Sequence, residues 1–545
     1  MKVCLINPPT TDSMERSLYF PQALLTLGGV LKENNVTCEI WDFELYFKSI
    51  RNCTEGKFRK LLRLGIDGSR NHVFGISAIC SNFPMALWIA KEIKAYKPDS
   101  LVILGGAQPS SVPLETLSAF PFVDVVVVGE GEVTLAEMAR EGFDREKIRD
   151  LSGLALREGN QVRMNKPREL VENMDEFPMP DYSLIDLKRY IDYDPESFIF
   201  HVEVGRGCPF KCTFCSTSLM WSRNYRVKSP ARILEEMQTL HRQYGCKDFD
   251  LIHDNFTTSK KFVSDFCQLM LENDKEGLQW HIASRTDCLE IDKLETMRQA
   301  GFRSVFFGIE TGSNRMQKII GKHLNFDRFD PLLRKLHELD IRSVTAFILG
   351  FPEENIEDMD ETVWRALRYR TLGARRVPIA RLSALSGTDL YRNSLSQLKL
   401  PDSKDQTRPA SFCAQIYGLP YINEIIRNYP ELFSSYYHIP HPCMNAEELW
   451  KFIEFSQLIV KITPELAFLT MEKTGITATR LFRFWDDWAE KNHFSYCNYD
   501  SWAAIYDDFQ FAFTRFVRET QFGKSLKTIP GPLSFPNGNQ QSLGN

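Results

Sequence analysis

The sequence of 545 residues has no run of about 18 consecutive apolar residues, so no membrane-spanning helix is expected. Met1 to Pro9 carries one lysine and a short apolar run, without a long hydrophobic region or a small-residue cleavage site, so no secretory leader is expected either. Charge of one sign is not in excess. The 66 Lys+Arg against 71 Asp+Glu give a formal net charge of -5, which argues against a general nucleic-acid-binding surface. No repeat of fixed period is visible. The 13 cysteines are odd in number and, one group apart, scattered singly, which does not suit a secreted disulfide framework and makes a reducing, cytoplasmic setting the expectation. What the chain does have is globular material. Its 43% hydrophobic and 25% charged residues exclude wholesale disorder, and its length predicts about three or four domains.

The first 150 residues alternate short apolar runs with amphipathic stretches. Strands are predicted at Val3 to Ile6, Cys38 to Trp41, Val73 to Ile76, Leu101 to Leu104 and Val123 to Val128, with helices near 20–33, 83–96 and 133–140. This βαβ series predicts a parallel, flavodoxin-like (Rossmann-like) sheet. Such sheets bind ligands beyond the carboxyl ends of their strands, where this sequence places Ser77, Gly105-Gly106 and Gly129-Glu130-Gly131-Glu132. A hairpin-like piece and a proline-rich link ending near Tyr182 occupy 151–195. A second α/β series covers 196–395, with strands at about 199–204, 249–253, 280–283, 304–309, 342–349 and 376–382 and helices such as Pro230 to Tyr244 and Asp292 to Gln299. It predicts a partial or full β/α barrel with its chemistry at the strand C-termini. Helical, Phe- and Trp-rich segments at 446–461, 478–491 and 500–520 predict a helical domain over 396–527, and the composition of 528–545 predicts a disordered tail.

Directly after the first strand of the second series comes Gly205-Arg206-Gly207-Cys208-Pro209-Phe210-Lys211-Cys212-Thr213-Phe214-Cys215. Three thiols spaced by three and then two residues, on a loop that glycine makes bendable, can converge on one metal centre. Zinc is the plain alternative. A structural zinc site takes four protein ligands, and the next Cys or His is His241, far along a predicted helix. Three thiolates with one open position instead suit an iron–sulfur cluster that leaves one iron free for a small ligand.

This Cys-x3-Cys-x2-Cys loop, with the aromatic Phe214 before its last cysteine, resembles that of the radical S-adenosylmethionine (radical SAM) enzymes. Further matches follow at His253-Asp254-Asn255, Ser284-Arg285, Gly308 to Ser313 and Phe347 to Pro352. The resemblance implies a [4Fe-4S] cluster on Cys208, Cys212 and Cys215, whose free iron chelates S-adenosylmethionine and reductively cleaves it to a 5'-deoxyadenosyl radical. It also implies S-adenosylmethionine contacts from Phe214, Asp254, Ser284, Arg285, Glu310 and Gly350. Chemically, Asp254 can accept from the ammonium and Arg285 can pair with the carboxylate, while Ser284 and Glu310 suit amino-acid or ribose groups. Each also has an ordinary reading as a strand-end polar residue. An acid or base role for His201, His253 or Tyr391 has no support in the sequence.

The N-terminal series, through Leu104-Gly105-Gly106 and Val128-Gly129-Glu130-Gly131-Glu132, resembles the cobalamin-binding domain fused to a large radical SAM subgroup. None of the ten histidines lies in the Asp-x-His-x-x-Gly pattern of chains that ligate cobalamin through histidine. The expectation is therefore cobalamin bound without a histidine ligand, contacted by Ser77, Ser81, Gly105, Gly106, Gly129 and Glu130. Plain turn glycines and capping serines are the alternative.

The subgroup resemblance implies methyl transfer to an unactivated carbon, or less often phosphorus, in specialised metabolism. The implied partners are a small-molecule, lipid or peptide substrate and a reductant such as flavodoxin or ferredoxin. Radical rearrangement, cyclisation or ring contraction, a non-catalytic cobalamin or redox sensor, and methylthiolation of transfer RNA are the rival readings. In the C-terminal segment, Phe482, Phe484, Trp485 and Trp488 either line an apolar pocket or form core, and core is the commoner use of such spacing.

Overall fold

In the first strand, Cys4 and Ile6 belong to one hydrophobic core while Val3 and Leu5 belong to another, so this short strand is apolar on both faces of its sheet. The computed structural model describes residues 2–10, 18–49, 55–159, 161–195, 198–400, 420–496 and 502–526. The tail expected at 528–545 lies outside the described residues. The chain packs as two units, each discontinuous in sequence: Met1–Leu278 with Ser383–His438, and Gln279–Leu382 with Ile439–Asn545.

The first unit is built on β1 (Lys2–Asn7), β2 (Thr37–Asp42), β3 (Val73–Ser77), β4 (Leu101–Gly105), β5 (Val125–Val127), β6 (Leu154–Glu158) and β7 (Gln161–Met164). They form one sheet in the order β2-β1-β3-β4-β5-β6-β7. Neighbours from β2 through β5 are parallel, whereas β6 and β7 join antiparallel. The hairpin anticipated after residue 150 thus extends the sheet instead of standing apart as a linker. The order 2-1-3-4-5 is that of a flavodoxin-like sheet, and its ligand crevice lies beyond the carboxyl ends of the strands. Helices Gln22–Glu33, Phe83–Tyr96 and Gly131–Arg140 form close to their expected places. A helix not anticipated, Glu55–Gly68, buries Phe58, Leu62 and Ile66, one per turn, and leaves Lys57, Arg59, Lys60, Arg63 and Asp67 outward.

The same unit contains β8 (Phe200–Glu203), β9 (Gly205–Arg206), β10 (Arg226–Val227) and β11 (Asp248–Ile252). β8 pairs parallel with β11 across the intervening helix Pro230–Tyr244, while β9 pairs antiparallel with β10. Helix Pro420–Asn428 also belongs here, because Ile422, Ile425 and Ile426 enter the core that holds Phe83 and Trp88. The described residues 420–438 therefore belong to the N-terminal unit, although the sequence order groups them with the later helices.

The second unit carries β12 (Gln279–Ser284), β13 (Phe302–Glu310), β14 (Arg342–Leu349) and β15 (Ile379–Arg381), each parallel to the next. Helices Phe326–Glu338 and Ile356–Thr371 alternate with them, as a β/α barrel requires. All six strands expected of the second series form, two in the first unit and four in the second. Helices Ala446–Ile462, Pro464–Thr474, Ala478–Lys491 and Trp502–Glu519 complete this unit around an aromatic core. Trp485 is 0% exposed there and Phe482 1%, so these two side chains are core, while Phe484 lies on the surface.

Candidate active site

The cysteine loop is drawn together at a narrow neck. Arg206 of β9 faces Arg226 of β10, and the 19 residues between them form the loop. Gly207 has φ +93°, and a Cβ there would stand 1.7 Å from the Asn224 carbonyl oxygen, so only glycine fits. Asp254, just past β11, holds the loop from both sides: it accepts from the Gly207 amide at 2.7 Å and from the Thr217 hydroxyl at 3.0 Å. The expectation that Asp254 receives an ammonium group shares this carboxylate with the loop, whose remaining lone pairs stay available for it.

Cys208, Cys212 and Cys215 are half-buried thiols outside any disulfide, and Phe214, between the last two in sequence, is half-buried as well. Cys212 and Cys215 line a cavity of about 320 Å³ together with Thr388, Asp389 and Arg392. The Leu390 amide donates to the Thr213 carbonyl at 3.0 Å, which ties the segment after residue 383 to the loop. Among the described residues no three His, Cys, Asp or Glu side chains gather closely enough to hold a single metal ion. A cubane cluster makes no such demand, since each thiolate binds a different iron, and the donor set of three cysteines fits it. Burial pushes the Cys208 thiol up to about 11, a cost that ligation to iron as thiolate would overcome.

Around the neck lies a buried ion cluster that the sequence reading did not single out. Arg206 donates to both oxygens of Glu203 at 2.8 and 2.9 Å, to Glu130 at 3.0 Å and to Glu132 at 2.6 Å. Arg226 reaches the same Glu130 oxygen at 2.8 Å. The other Glu130 oxygen accepts from the Val171 amide at 3.0 Å. Beneath the neck, His253 is neutral, its pKa lowered to about 4 by burial. Its Nδ1 accepts from the Asn255 amide at 2.9 Å, which leaves Nε2–H to donate to the Arg226 carbonyl at 3.3 Å. A Cβ on Gly205 would come within 2.6 Å of its ring. His253 is thus a prop for the neck. His201 stacks on Tyr19, and the Tyr391 hydroxyl donates to the Glu431 carbonyl, so both have structural partners.

In the second unit, Ser284, Arg285, Glu310 and Gly350 stand at or just beyond the carboxyl ends of β12, β13 and β14. Ser284 donates to the Arg285 carbonyl at 2.8 Å, and Arg285 forms a two-nitrogen pair with Asp287 at 2.9 Å. Lys322, absent from the sequence reading, joins two of them: its ammonium meets Glu310 at 2.7 Å and its carbonyl accepts from Arg285 at 2.7 Å. Gly350 has φ +100°, and its amide, with that of Phe351, donates to the buried Glu354 carboxyl at 2.7 and 3.2 Å. Glu354 shapes this turn and was likewise unread; in sequence it is indistinguishable from the exposed Glu353 beside it.

The six residues expected at cobalamin divide by environment. A Cβ on Gly129 would meet nothing within 4 Å, and one on Gly105 only Val127 at 4.0 Å, so these two positions form an open ledge beyond the strands. Ser77 is half-buried at the end of β3. Gly106, with φ +97°, instead packs against Ala78, where a Cβ would lie 2.5 Å from the carbonyl oxygen. Ser81 is buried, and its carbonyl accepts from the Tyr436 hydroxyl at 2.9 Å. The Glu130 carboxylate is taken up by the ion cluster, so it is not a free side chain for a ligand. The Gly129 amide donates to Ser110 at 3.1 Å, a contact the sequence reading also missed.

Comparison with known proteins bears on the same segments. The radical SAM superfamily model matches residues 202–364, and the B12 binding domain model matches residues 20–139. An uncharacterized methyltransferase of Pyrococcus horikoshii is 29% identical over 367 residues, 67% of this chain and 77% of the relative. An anaerobic magnesium-protoporphyrin IX monomethyl ester cyclase of Cereibacter sphaeroides is 29% identical over 298 residues, covering 53% of this chain and 48% of the relative. In fold, the chain is similar to the radical S-adenosylmethionine methyltransferase TsrM of Kitasatospora setae, solved with cobalamin and a [4Fe-4S] cluster bound. The TM-score is 0.64 at 16% identity, over 84% of this chain and 88% of that one.

Proposed function

We propose that this chain, which belongs to the radical SAM enzymes that carry a B12-binding domain, methylates an unactivated carbon or phosphorus of a small-molecule, lipid or peptide substrate. The observation that carries the reading is that one packed unit holds both the three-cysteine loop and the flavodoxin-like sheet with an open glycine ledge. When bound, the [4Fe-4S] cluster supplies the electron for cleaving S-adenosylmethionine, and cobalamin supplies a carrier for its methyl group.

The protein's own residues hold, orient and exclude. Cys208, Cys212 and Cys215 would hold three of the four irons, and Asp254 and His253 fix the loop that presents them. Phe214, Asp254, Ser284, Arg285, Glu310 and Gly350 are the proposed contacts for S-adenosylmethionine. Lys322 keeps Arg285 and Glu310 in a fixed relation, so a carboxylate arriving at Arg285 would displace or share the Asp287 pair. Ser77, Gly105 and Gly129 are the proposed floor for cobalamin. The named methyltransferase relative supports methyl transfer, and the specialised-metabolism setting and the reductant, a flavodoxin or ferredoxin, complete the proposal.

The test is an anaerobic incubation of reconstituted protein with S-adenosylmethionine, strong reductant and candidate substrates. Methyl transfer predicts S-adenosylhomocysteine, 5'-deoxyadenosine and a substrate heavier by one methylene unit. Formation of 5'-deoxyadenosine with a rearranged, unmethylated product would replace the proposal with a cyclase-type reaction.

A further inference from the structure

The buried ion cluster joins two segments far apart in sequence. Arg206 and Arg226 are opposite each other in the two-residue ladder that closes the cysteine loop, and both end on one oxygen of Glu130, in the turn that follows β5. Arg206 is further fixed by Glu132, in the first turn of the helix Gly131–Arg140 that follows, by Glu203 and by the faces of Phe177 and Trp221 at 5.0 and 5.4 Å. All three residues are almost wholly buried: the side chains of Glu130, Arg206 and Arg226 are 2, 8 and 7% exposed. Two guanidiniums on one carboxylate in such a setting are far stiffer than a surface pair, because no water replaces a lost partner. One residue before Glu130 stands Gly129, part of the open ledge. Two residues after Arg206 stands Cys208.

We propose that Glu130, Arg206 and Arg226 are positioning residues that latch the turn after β5 to the neck of the cysteine loop. Through them the ledge at Gly129 and the thiols at Cys208 to Cys215 keep a fixed relation. By linkage, a ligand that orders the Gly129 turn also orders the cysteine loop, and the reverse holds equally. The inference rests on the reading of the cysteine loop as the cluster site, though not on methyl transfer.

The experiment uses full-length protein, reconstituted anaerobically with iron and sulfide in the absence of cobalamin, and compares wild type with Glu130→Gln. The variant keeps the shape of the side chain and removes the charge that both arginines share. Expected are a changed electron paramagnetic resonance spectrum of the reduced cluster with S-adenosylmethionine and a roughly tenfold to hundredfold lower rate of 5'-deoxyadenosine formation per cluster, the scale of a small misplacement. Arg226→Lys, which preserves charge and loses the guanidinium's simultaneous reach to Glu130 and the Val171 carbonyl, is expected to fall between the two. It reads the same quantities if Glu130→Gln does not fold. Spectrum and per-cluster rate equal to wild type, with only thermal stability or cluster yield lowered, would overturn the latch. Wild-type protein that takes up no iron and sulfide would instead overturn the cluster reading, so the two failures are distinguishable.

Discussion

Glu354 illustrates how a single side chain sets a local shape and a pH response. Burial raises its pKa from the usual carboxyl range to about 8, against the opposing hydrogen bonds from Gly350 and Phe351. The unfolded chain releases this proton near the ordinary value of about 4.3, so the folded state binds the proton more tightly. The contribution to stability is therefore full below about pH 4.5 and lost as pH rises towards 8, by an amount on the order of a few kcal/mol. Glu354→Gln keeps a carbonyl for both amides and removes the titration. Its melting temperature should fall less than that of wild type between pH 5 and about 8.5; parallel curves would show that Glu354 is not the titrating group. At this scale the sequence was informative where chemistry is local. Three thiols within eight positions point to one metal centre from their spacing, and the family resemblance makes it an iron–sulfur cluster, whereas Lys322, Glu354 and the Glu130 clamp depend on partners that only the folded chain selects.

Elements were legible where periodicity is strong. The runs expected as strands at 249–253 and 342–349 form Asp248–Ile252 and Arg342–Leu349, and Pro230–Tyr244 is a helix, begun by Ser229 capping Arg232 and ended by Gly245 in the left-handed region. The helix Glu55–Gly68 escaped notice because its charged face outweighs the sparse row Phe58, Leu62 and Ile66. The helices of the second unit test the alternative drawn for the aromatics. Trp485 is fully buried, stacks on Trp488 at 5.5 Å and donates its indole N–H to the Tyr496 hydroxyl at 2.7 Å. Trp485→Ala should therefore cost about 3–5 kcal/mol in denaturant unfolding. Rates of 5'-deoxyadenosine formation per folded molecule should remain near wild type. A variant of wild-type stability with altered substrate binding would restore the pocket reading.

For the whole molecule, alternation of strands and helices revealed two α/β series, yet it did not reveal which segments share a core. Hydrophobic residues such as Ile422, Ile425 and Ile426 show that a helix is buried without showing against what, and here the partner is the helix Phe83–Tyr96 of the N-terminal unit. Function at this scale is the proposed pairing of two cofactor sites in one chain, with the cysteine loop and the glycine ledge within a single packed unit. The most direct test is quantification of iron, sulfide and cobalamin after anaerobic reconstitution of wild type and of the Cys208→Ala, Cys212→Ala, Cys215→Ala triple variant. The account predicts about four irons, about four sulfides and about one cobalamin per wild-type chain, with the cluster lost and cobalamin retained in the triple variant. A triple variant that keeps its iron and sulfide, or a wild type that binds no cobalamin, would contradict it.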